Sequence, residues 1–178
     1  MKEKIILITG GVSGIGLVAA KKVSIDNKVI IADCQNIDKN FIKSNFDNYE
    51  NVYYFKCDIS KKEEILNLKK YILDNFGRLD CLVCDAGIMP LPCGIDDITD
   101  ENIDRTIDVN LKGTFKCLNI LGNLIKETSK IGSIVNISSV DGIIGEPYGI
   151  IYSTTKAGII SLTKSLLDIL KAIFELIV

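Results

Sequence analysis

The sequence contains no histidine. A metal centre would therefore have to do without imidazole, a common ligand of zinc sites. Six cysteines are present, Cys34, Cys57, Cys81, Cys84, Cys93 and Cys117. They are scattered through strand-like and helical segments, which suits reduced thiols in the cytoplasm better than a secreted disulfide framework. Cys81 and Cys84 lie close together in Asp80-Cys-Leu-Val-Cys-Asp85. In a strand that separation sends their side chains to opposite faces, so buried thiols are expected there and no metal site.

A surplus of one charge is also missing. The chain carries 21 basic and 23 acidic residues, net −2, mixed along its length, so no basic face is offered to nucleic acid or to anionic lipid. Long apolar runs are absent as well. The N-terminal Ile-Ile-Leu-Ile is too short for a signal peptide and leads into glycines rather than a cleavage site. The apolar C-terminal stretch is interrupted by Lys164, Asp168, Lys171 and Glu175, which fall on one stripe of a helix. That pattern predicts an amphipathic helix buried against the core or another subunit, not a membrane span. No repeat, low-complexity tract or linker divides residues 1–178, so one domain is expected. With 47% apolar and 25% charged residues it can bury a sizeable core.

Short apolar, β-branched runs at 4–9, 28–32, 52–56, 79–84 and 133–138 alternate with longer mixed segments. Alternation of this kind predicts an α/β domain with a parallel sheet and crossover helices. Ser60-Lys-Lys-Glu63 reads as a capping box that opens a helix ending at Gly77. Thr99 or Asp100 opens another, running past Asn110 toward Lys126.

Directly after the first strand comes Thr9-Gly10-Gly11-Val12-Ser13-Gly14-Ile15-Gly16, ahead of an apolar helical pattern. Glycines let backbone N–H groups approach a diphosphate, and the helix N-terminus adds the positive end of its dipole. Asp33 closes the second strand, 17 residues beyond Gly16. A carboxylate there can accept hydrogen bonds from the adenosine ribose hydroxyls and would repel a 2′-phosphate, which favours NAD over NADP. No Lys or Arg at Val12 or Ser13 opposes that preference. Asp58 follows the third strand, where it could meet the adenine edge or serve as a plain loop residue. Asp85-Ala86-Gly87 makes a small-residue turn after the fourth strand, across which a dinucleotide could lie.

The chemistry is expected at Ser139, Tyr152 and Lys156. Tyr152 and Lys156 are four apart and share a helix face. An ammonium beside a phenol favours the phenolate, making Tyr152 usable as an acid or base near neutral pH. Ser139 can hydrogen-bond the same substrate oxygen. Tyr148 lacks a lysine four residues on, Tyr53 and Tyr54 fall in a strand pattern, and Ser138 would face away from Ser139.

With these residues assembled, the chain resembles the short-chain dehydrogenase/reductase family from Lys4 to about Asp168. The matching motifs are the glycine loop from Thr9 to Gly16, Asp33, Asp58, Asp85-Ala-Gly87, Asn110 within Asp-Val-Asn-Leu-Lys-Gly, Ile137-Ser-Ser139 and Tyr152-Ser-Thr-Thr-Lys156. The resemblance implies a Rossmann-like, doubly wound sheet with strand order 3-2-1-4-5. It implies Tyr152 as general acid/base, Ser139 orienting the substrate oxygen, Lys156 on the nicotinamide ribose and Asn110 supporting a water and proton path to Lys156. Cofactor contacts would come from Thr9, Gly10, Ser13, Gly14, Ile15, Gly16, Asp33, Asp58, Ile59, Asp85, Ala86 and Gly87, with Tyr152 and Lys156. A homodimer or homotetramer would form through helices 99–126 and 152–178.

Two departures stand out. Cys84-Asp85 replaces the pair of asparagines that precedes Ala-Gly in the family, losing both amide donors. The chain also stops at Val178, where family members continue through a further strand, a substrate-covering loop, helices and a last strand. On this reading the family's last two strands are lacking, the final helix simply extends to the end, and strand 133–138 becomes an apolar sheet edge. The expected function is NAD-dependent interconversion of a secondary alcohol and a ketone. The alternatives are an NADP-dependent reductase of 3-oxoacyl type, or a dinucleotide-binding protein without turnover because a wall of its substrate pocket is missing.

Overall fold

The first strand, β1 (Ile5–Thr9), is apolar on both faces, and the fold buries both. Ile5 and Leu7 join one core cluster with Ile30, Leu82 and Ile134. Ile6 and Ile8 join a second, on the opposite face, with Val29 and Ile31. Such two-sided burial belongs to a parallel sheet covered by helices on both faces. The computed structural model describes residues 3–129, 131–170 and 174–177, and side chains among them other than those of residues 39, 167–170 and 174–177.

In chain order the elements are β1, α1 (Gly14–Val23), β2 (Lys28–Asp33), α2 (Lys39–Asn45), β3 (Val52–Lys56), α3 (Lys62–Phe76), β4 (Cys81–Cys84), a long helix α4 over residues 100–128, β5 (Gly132–Asn136), a short α5 (Asp141–Ile144), α6 (Ile150–Leu170) and β6 (Phe174–Ile177). Every strand pairing is parallel, in the order β3-β2-β1-β4-β5-β6. Residues from α1 and α2 pack on the cluster of Ile6 and Ile8. Residues from α3, α4 and α6 pack on the cluster of Ile5 and Leu7. Cys81 packs against the first of these and Cys84 lies in the second, the opposite-face placement expected of that pair. Among the described residues no helix is long and apolar enough to cross a membrane.

The five expected strands stand in the expected order, but two local expectations need correction. The last helix does not extend to the end of the chain: it runs Ile150–Leu170, and Phe174–Ile177 then forms β6 beside β5, with Gly132 opposite Phe174 and Val135 opposite Ile177. Among the described residues the sheet therefore has six strands, and β5 is not its edge. An apolar strand edge demands a partner, and Phe-Glu-Leu-Ile is as apt for a strand as for a helix. Of the charged stripe, the side chains of Asp168, Lys171 and Glu175 lie outside the described residues. The capping box is not formed either. The Ser60 hydroxyl donates to Asp58 Oδ1 at 2.7 Å, and it is Glu64, not Glu63, whose carboxylate reaches back, to the Asp58 N–H at 2.7 Å. The helix starts at Lys62 and ends, as expected, on Gly77, which takes the left-handed φ of +71°.

Thr99 caps α4 by accepting the Asn102 N–H at 3.2 Å. Two stretches of α4, Ile107–Gly113 and Leu118–Gly122, widen into π-helix, a feature that often marks functional sites.

The end of the sheet away from the glycine loop is fastened by Asp80. Its carboxylate accepts the Ile5 N–H at 2.8 Å, the Arg78 Nε–H at 2.9 Å and the Ser129 hydroxyl at 2.5 Å. Burial alone would raise this carboxyl, but Ser129, the Ile5 amide and Arg78 outweigh it and hold it below the ordinary aspartate value. Its contribution to stability is thus present above the unfolded-state pKa of about 3.9 and is lost as pH falls through the folded value. Asp80→Asn should lower unfolding stability by about 1–3 kcal/mol at neutral pH. In urea titrations the deficit should narrow as pH falls below the unfolded-state value and the wild-type carboxyl takes up its proton.

Candidate active site

The sheet changes winding direction between β1 and β4, and a crevice opens beyond their C-terminal ends, where ligands of such sheets bind. Gly10 follows β1 with a φ of +74°, and its N–H bonds Ala32 O at 2.8 Å. A Cβ on Gly10 would sit 2.8 Å from the Ala86 backbone, and one on Gly16 would sit 2.4 Å from Gly10 O. No side chain fits at either position. Gly14, with φ +53°, faces open space where α1 begins.

A cleft of about 850 Å³ runs from this loop along the strand ends. Of the expected cofactor residues, Gly10, Ser13, Gly14, Ile15, Asp33, Asp58, Ile59, Asp85, Ala86 and Gly87 line it. Thr9 and Gly16 act from behind. The buried Thr9 hydroxyl donates to Val83 O at 3.4 Å and accepts the Ala86 N–H at 3.3 Å, and the Gly16 N–H donates to Asp85 Oδ2 at 2.9 Å. Asp85, deprived of an amide's donors, has become the acceptor for the helix amide. Burial raises its carboxyl above the ordinary aspartate value, with the Gly16 bond and Lys156 opposing.

Asp33 is buried at the end of β2, its Oδ1 accepting the Gln35 N–H at 3.0 Å. The Tyr54 hydroxyl donates to Gln35 O and lies 3.2 Å from Asp33 O, so the edge strand β3 holds the loop that carries Asp33. Sequence reasoning gave Tyr54 no role beyond strand formation. The contact depends on the β2–β3 register, Ile31 opposite Tyr54, for which no local pattern exists. Asp58 accepts the N–H and hydroxyl of Ser60 at 3.0 and 2.7 Å. Burial would raise its carboxyl, but Ser60 and Lys61 prevail and hold it low. The cleft lining also includes the acids Glu101, Asp104 and Asp108 and the cation Arg105 from α4, whose spacing along one helix face is visible in the sequence.

Beyond β5 the chain is clamped to α6. Ser138 Oγ donates to Lys156 O at 2.8 Å, and Lys156 Nζ donates to Ile137 O at 2.8 Å. Lys156 is buried, which lowers its ammonium below the ordinary lysine value, with Asp85 opposing. Its Nζ lies 5.6 Å from the centroid of the Tyr152 ring, so the expected pair does share a helix face. The Ser139 hydroxyl accepts the Asp141 N–H at 3.2 Å. Tyr152 borders a recess formed with Leu91, Ile98, Tyr148 and Ile151.

Asn110 is buried in the first π segment of α4 and grips the backbone of Ile88 from both sides. Its Oδ1 accepts Ile88 N–H and its Nδ2 donates to Ile88 O, each at 2.8 Å, with a further bond to Thr155 Oγ1 at 3.2 Å. A Cβ on Gly87 would lie 3.3 Å from Asn110 Oδ1 and 3.7 Å from Lys156 Nζ, which places this glycine between the two. Among the described residues no cluster of cysteine and carboxylate ligands suited to a metal ion occurs.

A glycine-lined cleft thus lies at the switch point of a doubly wound parallel sheet. A family model described as short chain dehydrogenase matches residues 4–172. The chain is 33% identical over 164 residues to short-chain dehydrogenase reductase 3a of Arabidopsis thaliana, covering 91% of this chain and 63% of that protein. It is 36% identical over 168 residues to an uncharacterized oxidoreductase of Staphylococcus epidermidis, covering 93% and 71%. Among solved structures, the 3-ketoacyl-(acyl-carrier-protein) reductase of Brucella melitensis complexed with NADH matches with a TM-score of 0.86 and 29% identity, over 95% of this chain and 70% of that one. The chain belongs to the short-chain dehydrogenase family. It spans less than two thirds of the length of the Arabidopsis relative.

Asn110→Ala would leave both polar groups of the Ile88 backbone without their partner. A loss of about 1–3 kcal/mol of stability is expected, read as a lower midpoint in urea denaturation.

Proposed function

We propose that this protein is an NAD-dependent oxidoreductase that interconverts a secondary alcohol and a ketone. The observation that carries this reading is the buried Lys156 ammonium, fixed on Ile137 O and held over the Tyr152 ring beside a glycine-lined cleft. The cleft suits a dinucleotide in volume, since small-molecule sites span about 300–1,000 Å³. Gly10 packs too closely on the Ala86 backbone to carry a Cβ, and Gly14 faces open space.

In this reading Gly10, Ser13, Gly14 and Ile15 receive the diphosphate at the start of α1, with Thr9 and Gly16 shaping the loop behind them. Asp33 accepts from the adenosine ribose hydroxyls, Asp58 and Ile59 border the adenine, and Asp85, Ala86 and Gly87 floor the middle of the cleft. Along this part of the lining stand Asp33, Asp58, Glu101, Asp104 and Asp108, against the cation Arg105. An additional 2′-phosphate would meet this acidic wall, which favours NAD over NADP.

A bound nicotinamide would supply the hydride acceptor for oxidation or the donor for reduction. Tyr152 takes the hydroxyl proton as the alcohol is oxidised and returns it in the reverse direction. The Lys156 ammonium, 5.6 Å from the centroid of the Tyr152 ring, would bind the nicotinamide ribose. Ser139 donates a hydrogen bond to the reacting oxygen and so fixes its position. Asn110 holds the Ile88 turn in place and, with Thr155, stands beside Lys156 where a water could pass protons to it. The exposed Phe115 on α4, with the long α6, makes these helices the faces through which we expect the chain to form homodimers or homotetramers.

The test is a panel of secondary alcohols offered with NAD and with NADP. Wild-type protein should reduce NAD in preference to NADP with at least one alcohol, and Tyr152→Phe should lose at least about 100-fold in rate. Equal rates in both proteins would overturn the catalytic assignment.

A further inference from the structure

The turn after β4 places an acid where the bound ligand is itself an anion. Asp85 Oδ2 accepts the Gly16 N–H at 2.9 Å, in the first turn of α1. The free amides of that turn are the feature that draws a diphosphate. Asp85 also lines the cleft together with Gly10, Ser13 and Gly14. Two anions sharing one helix N-terminus repel, and a half-buried position weakens the screening that water would provide.

The surroundings of Asp85 leave little to neutralise it. From α6 comes the Lys156 ammonium, the one charged side chain acting on it among the described residues. From α1 comes the Gly16 amide, which carries no net charge. On its own strand the adjacent Cys84 stays a neutral thiol, pushed up to about 12 by burial. Lys156 donates to Ile137 O at 2.8 Å and makes no hydrogen bond to the carboxylate.

We propose that Asp85 carries a proton when a dinucleotide is bound, so that each binding event takes up a proton from solvent and Asp85 sets the affinity of the cleft. The inference rests on the dinucleotide reading given above. In the step itself one O–H bond forms on the Asp85 carboxylate, the proton coming from buffer. The other oxygen goes on accepting the Gly16 N–H. The neutral acid gains a donor it lacked when ionised, one that can face a phosphate oxygen. Burial already raises this carboxyl, and a nearby diphosphate acts in the same direction. The proton is then held more tightly in the complex than in the free protein, so affinity falls as pH rises from the free-state value of the carboxyl toward its bound-state value.

The experiment is calorimetric titration of the full chain with NADH between about pH 5 and 7.5, in two buffers of different ionisation enthalpy. Wild-type Kd should rise with pH, by up to about tenfold per unit, and the binding enthalpy should differ between buffers in the sense of proton uptake. Asp85→Asn keeps the acceptor for Gly16 and cannot titrate. It should bind more tightly than wild type at the upper end of the range, with Kd varying less than about twofold and no proton uptake. Wild-type binding with neither pH dependence nor proton uptake would overturn the inference, as would an Asp85→Asn variant that retained both. The wild-type proton count stands even if the variant folds poorly. Failure of NADH to bind at every pH would defeat the dinucleotide reading itself, and this inference with it.

Discussion

The site depends on one close approach, that of the turn after β1 to the turn after β4. Gly10 and Gly16 have no room for a side chain, because the Ala86 backbone and the Asp85 carboxylate press against them. The contact is closed by Thr9 Oγ1, which bridges Val83 O and the Ala86 N–H, and by the Gly16 N–H on Asp85. It fixes the start of α1 over the strand ends and so makes the crevice. The parallel β1–β4 pairing, Thr9 opposite Cys84, delivers both turns to the same level.

From that contact the rest follows in space. Next to β4 lies β5, and the chain leaving β5 is locked to α6 by Ser138 and Lys156, which brings the Tyr152 ring near the buried ammonium. Packed against α6 on the same face of the sheet, Asn110 from the widened stretch of α4 holds Ile88 just beyond the same β4 turn. Groups drawn from widely separated parts of the chain therefore converge on one small region. The arrangement is rigid because most of its bonds involve main-chain atoms, whose positions the sheet and helices already determine.

Much of this was legible beforehand, for physical reasons. Glycines immediately after an apolar strand and before a helix have few other uses. Tyr152 and Lys156 need only helical periodicity to meet. The five strands show because apolar runs buried on both faces have no competing reading as surface. The features that escaped notice are those set by long-range register or by competition among near-equal partners. Tyr54 reaches the Asp33 loop only because β3 pairs with β2 in one register. The Ser60 hydroxyl could accept the N–H of Glu63 in a capping box or donate to Asp58, and it donates to Asp58. Phe174–Ile177 could continue a helix or form a strand, and the exposed edge of β5 decided it, a tertiary effect that no local window contains. Asp85 could be recognised as unusual from the sequence, but its bond to Gly16 required the fold.

The central claim is that the crevice at the β1–β4 switch point is a dinucleotide site. Its most direct test is a titration with NADH followed by nicotinamide fluorescence, with ADP-ribose added as a competitor that has the adenosine and diphosphate but no nicotinamide. Saturable binding at one site per chain, reversed by ADP-ribose, is the predicted result. No saturable signal up to millimolar NADH, or a signal that ADP-ribose leaves unchanged, would contradict it.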